Sequence, residues 1–218
     1  MRAAHPDVGT RSKLACGQHA ASLVAQAEQL LEEHHVVAYS RNIGIRERFA
    51  LELIKHLHAM VEVQTVVLSG TGIHDLETFC RQFDRSMPGE RERTRPTIDG
   101  PEGVCDRMRD RPSDLSSHIK HRYYIWRDAD VLLKQNPKLF ARLADALMGV
   151  AAESEYASED LLLLHRVIFI GAGALHTSFR DTKGPLRSWL ADSPQGGKPL
   201  WAVVTGIEHP PTAELLLA

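Results

Sequence analysis

The chain has 218 residues, 43% of them apolar and 25% charged, with a formal charge of -2. That length suffices for one large domain with a sizeable core, and the composition excludes a disordered, collagenous or coiled-coil chain. So balanced a charge gives no whole-protein attraction to nucleic acid, membrane or acidic partners, so any such role must rest on a local patch.

The polar start, "MRAAHPDVGTRSK", lacks the apolar core of a secretory signal. No run reaches the roughly 18 apolar residues of a spanning helix. Three widely spaced cysteines, Cys16, Cys80 and Cys105, form no C-x-x-C pair, and the 12 histidines fall in no metal-ligand spacing. The expected setting is a reducing cytoplasm without membrane contact.

In chain order, Leu23, Val24, Ala27, Leu30 and Leu31 repeat at helical spacing within His19 to His34. "VVAYSRNIG" reads as a loop, and Phe49, Leu53, Ile54, Leu57 and Met60 mark a second amphipathic helix. The β-branched run Val63 to Gly70 predicts a strand covered on both faces, ending in "GTGIHD". Leu76, Phe79, Cys80 and Phe83 then predict a helix that stops before Pro88. A charged excursion follows, holding one short helix near Glu102 to Arg109. "HRYYIWRDADVLL" predicts a second strand over Arg122 to Arg127, with Tyr124 and Trp126 on one face and Tyr123 and Ile125 on the other. Pro137 opens a long helix, Arg166 to Ile170 forms a third strand, a short helix lies around Leu186 to Leu190, and "LWAVVTG" is a fourth strand.

Helices alternating with strands point to an α/β fold, a mainly parallel sheet of four or five strands with helices on both faces, because parallel strands need crossover connections. The expected division is a helical segment over residues 1–45 and an α/β domain over 46–218.

In such a sheet ligands bind beyond the carboxyl ends of the strands. Those ends read "SGTGIHD", "WRDAD", "IGAGAL" and "VTGI". Gly70, Thr71 and Gly72, with Gly171 and Gly173, are candidate anion-binding turns, where backbone N–H groups meet a phosphate. Asp128 is the candidate metal ligand, and Asp128, Asp130 and His74 the candidate catalytic groups if the chain is an enzyme. The same glycines can instead serve only tight turns, and the same acids can cap the next segment.

Across Arg46 to Ile207 this arrangement resembles the P-loop NTPase core, more particularly the AAA+ branch. "VVLSGTGIHDLETF" falls where the Walker A strand and loop belong, "YYIWRDADVLL" is similar to the Walker B strand, and "RVIFIGAGAL" to the sensor strand. The resemblance implies a nucleotide site with Mg2+. However, Walker A requires G-x-x-x-x-G-K-[ST], and after Gly70 and Gly72 come Ile73, His74 and Asp75, with neither lysine nor hydroxyl. The expectation is therefore a non-catalytic, P-loop-like scaffold or regulatory protein that contacts another protein or itself.

The alternatives are a metal-dependent phosphoester or nucleotide hydrolase using Asp128, a nucleic-acid-associated protein using Arg107, Arg109 and Arg111, and a barstar-like inhibitor, which "GTGIHDLETFCRQF" and "YYIWRDAD" resemble in element order. A dinucleotide fingerprint fails at its third glycine, where Asp75 stands. There is no G-x-S-x-G nucleophile elbow.

Overall fold

The computed structural model describes residues 8–32, 34–87, 98, 100–109, 119–155, 163–175 and 201–204. Its first helix, α1, spans Val8–Leu31, and its core-facing stripe of Ala20, Leu23, Val24, Ala27 and Leu31 is buried. Next comes strand β1, His35–Tyr39, and then helix α2, Ile43–His58. The Asn42 side chain caps α2 by accepting from the Ile45 N–H, and Phe49, Ala50, Leu53 and Leu57 form the buried face.

Strand β2, Val63–Ser69, leads through a short 3-10 turn at Gly70–Gly72 into helix α3, Leu76–Ser86. Helix α4 spans Pro101–Arg109 and strand β3 His121–Arg127. Helices α5, Asp130–Gln135, and α6, Pro137–Glu155, precede strand β4, Leu164–Gly171, and strand β5, Trp201–Val203. The short helix expected around Leu186 to Leu190 lies outside the described residues, as does Arg111.

The five strands form one sheet in the order β2-β3-β4-β1-β5, and each neighbouring pair is parallel. This is the expected α/β class, with helices on both faces and a helix ahead of the sheet. Pleat alternation divides the core. Val36, Ala38, Tyr123, Ile125, Ile168 and Ile170 face α1 and α2, while Val37, Tyr124, Trp126, Val167 and Phe169 face α3 to α6. The two faces expected for the aromatic strand are thus the two observed. Trp126 packs against Phe79, Phe140 and Phe169 at centroid separations of 5.2, 5.2 and 5.8 Å.

One correction changes where a ligand crevice can lie. "VVAYSRNIG", read as a loop, holds Val36 to Tyr39 of β1, an interior strand that pairs with β4 and β5, so the sheet begins ahead of residue 46. Strand β2, which carries "GTG", is an edge strand instead. Its outward backbone is covered from α3, where Gln82 accepts from the Ser69 N–H at 2.6 Å and the Ser86 hydroxyl donates to the Val67 carbonyl at 2.8 Å.

Candidate functional site

From β1 the chain leaves through α2 on one face of the sheet, whereas from β3 it leaves through α5 and α6 on the other. Diverging exits of this kind open a crevice at the carboxyl ends of the strands. Its walls are the Ser40 to Asn42 turn after β1, Asp128 to Asp130 after β3, and Gly171 to Gly173 after β4. Backbone bonds join these turns, from the Ser40 N–H to the Gly171 carbonyl and from the Ala129 N–H to the Ile170 carbonyl, each at 3.0 Å.

Asp128 has φ 49, the left-handed region that aspartate tolerates better than most side chains. Its Oδ1 accepts from Arg46, from Nε at 3.3 Å and from Nη2 at 3.1 Å, and only 12% of the arginine side chain and 17% of the aspartate remain exposed. The Arg46 Nη1 also donates to the Ser40 carbonyl at 2.9 Å, and the Asn42 N–H donates to the Ser40 hydroxyl at 3.1 Å. One guanidinium from the first turn of α2 thus ties the turn after β1 to the acid after β3.

Asp130 points elsewhere. Its buried carboxylate accepts from the Ala172 N–H at 2.9 Å and from Lys134 Nζ at 2.6 Å, linking the start of α5 to the end of β4. Burial raises its pKa, but the Lys134 and Ala172 hydrogen bonds outweigh that and hold it below the ordinary carboxylate value. Gly171 makes room for it, since a Cβ there would lie 2.7 Å from the Asp130 Oδ1.

The other expected site residues are placed as follows. Gly70 packs against the backbone of Asp128, where an added Cβ would meet the carbonyl oxygen at 2.0 Å, so close approach accounts for this glycine. Thr71 is exposed and bonded to the Ser69 hydroxyl at 3.0 Å, and Gly72 lies beside Gln82. Asp75 is the N-cap of α3, in a reciprocal box with Thr78. The Thr78 backbone N–H, and then its hydroxyl, lower the Asp75 pKa. His74 is exposed, and among the described residues no hydrogen bond or ion pair joins it to Asp128 or Asp130. The three expected catalytic groups are therefore not assembled. Gly173 stands near Arg41, whose Nε would lie 4.0 Å from a Cβ there.

Two of the three arginines of the expected basic patch are spent on internal pairs. Arg107 is buried and bonded to Asp84 at 3.0 Å, and Arg109 pairs with Asp106 at 3.3 Å. Arg46, which ties the turn after β1 to Asp128, was not among the sequence candidates. The one local signal for it was Asn42, a helix-capping residue four positions earlier. Among the described residues there is no group of three or more His, Cys, Asp or Glu side chains able to hold a metal ion, and no helix long and apolar enough to cross a membrane.

No family model and no curated protein matches the chain. Among solved structures, the Aeropyrum pernix ORC2 protein in its ADPNP and ADP complexes is similar at a TM-score of 0.47 and 14% identity, over 78% of this chain and 43% of that one. The chain thus spans less than half the length of that protein.

Proposed function

We propose that this chain is a non-catalytic α/β scaffold of P-loop-like build that acts through protein contacts rather than nucleotide hydrolysis. The observation that carries this reading is the Arg46–Asp128 pair at 3.1 Å in the crevice. In P-loop NTPases an acid at the end of such a strand and a hydroxyl at the start of the loop's helix hold Mg2+, while the loop lysine reaches the phosphates. After β1, with Gly44 as the second loop glycine, the lysine position is Ile45 and the hydroxyl position is Arg46.

A guanidinium has no lone pair to give a metal and repels a divalent cation. Here it also engages the carboxylate that would serve as ligand. The residues present do not fit Mg2+, and the lysine expected to meet the phosphates is an isoleucine.

The test is calorimetric titration of the whole chain with ATP and with GTP in the presence of Mg2+. The expected result is no binding in the micromolar range. Micromolar binding that Asp128→Ala abolishes would overturn the scaffold reading.

A further inference from the structure

We draw no further inference here: the strongest candidate, the groove between α1 and α2 lined by Ala21, Val24, Ala25 and Ala59, also holds Glu52, Lys55 and the Glu28–His56 ion pair, and nothing in the structure shows what covers it.

Discussion

The carbonyl oxygen of Asp128 occupies the space a side chain at residue 70 would need, standing 2.0 Å from an ideal Cβ on Gly70, with the Arg127 carbonyl oxygen at 2.8 Å. Both obstacles are backbone, and Asp128 is already in the left-handed region, so neither can swing aside as a flexible side chain could. Gly70→Ala is therefore expected to lose about 3 kcal/mol, the upper part of the range for overpacking. Gly72→Ala, whose Cβ would meet only the Gln82 side-chain nitrogen at 3.3 Å, should cost far less. Urea unfolding of the two variants checks the contrast. A Gly70→Ala chain of native stability would show that the turn after β2 is free to move off β3.

For the crevice pair the expected result is a coupling between Arg46 and Asp128. Truncating either partner strands a charge that is mostly removed from water. Full burial would put that cost at 3 to 5 kcal/mol, and the remaining exposure brings the expectation to about 1–3 kcal/mol for Arg46→Ala. Asp128→Asn keeps a side chain suited to positive φ, whereas Asp128→Ala loses both the charge and that tolerance, so Asn should be the milder change. A double-mutant cycle on Arg46→Ala and Asp128→Asn should give a coupling of roughly 1 kcal/mol or more. Strict additivity would mean that the two side chains contribute independently.

These two residues also indicate what could be read from the sequence. The aromatic and β-branched runs that became β3 and β4, and the stripes that became α2, α3 and α6, are local signals, and each fell close to its final place. Strand β1 is five residues long and directly follows a helix, with only Val36, Val37 and Ala38 to mark it. It is held in the sheet by β4 and β5, whose residues lie more than 120 positions later in the chain. No window around residue 37 contains that information. The strand order followed from it, and so did the crevice, whereas "GTG", read at the Walker A position, closes an edge strand. The partner of Arg46 lies 82 residues away for the same reason.

At the opposite end of the sheet the fold carries an acid sensitivity. His35 is buried, and its Nδ1 accepts from the Val167 N–H at 3.1 Å, which requires an unprotonated nitrogen. Burial first, then the charge of Arg166, lowers its pKa to about 3. His121 is shifted the same way, again by burial first and then by Arg166. The unfolded chain takes up a proton on such a histidine near pH 6.5 and the folded chain does not, so the contribution is complete above that value. It is lost as pH falls toward the folded value, by roughly 1.4 kcal/mol per pH unit for one such group. Urea midpoints between pH 7 and pH 4 should fall accordingly, and less steeply in a His35→Gln variant. Parallel profiles for the two chains would place the acid sensitivity elsewhere.

The end of β4 offers a more specific test, because two small features there depend on one carboxylate. A Cβ on Gly171 would lie 2.7 Å from the Asp130 Oδ1, 3.3 Å from the Asp130 Cβ and 3.2 Å from the Leu175 Cδ2. The carboxylate could retreat only by giving up the Ala172 N–H or Lys134, the contacts that keep it ionised while buried. Gly171→Ala should therefore cost about 2–3 kcal/mol, part from crowding and part from the lost bonds. Asp130→Ala alone strands only the Ala172 N–H, since the exposed Lys134 regains water, and should cost about 1–2 kcal/mol. In that background the nearest obstacle to a Cβ at residue 171 has gone, so the second substitution should cost little. Equal losses for Gly171→Ala in both backgrounds would mean that Leu175, rather than the carboxylate, sets the demand for glycine.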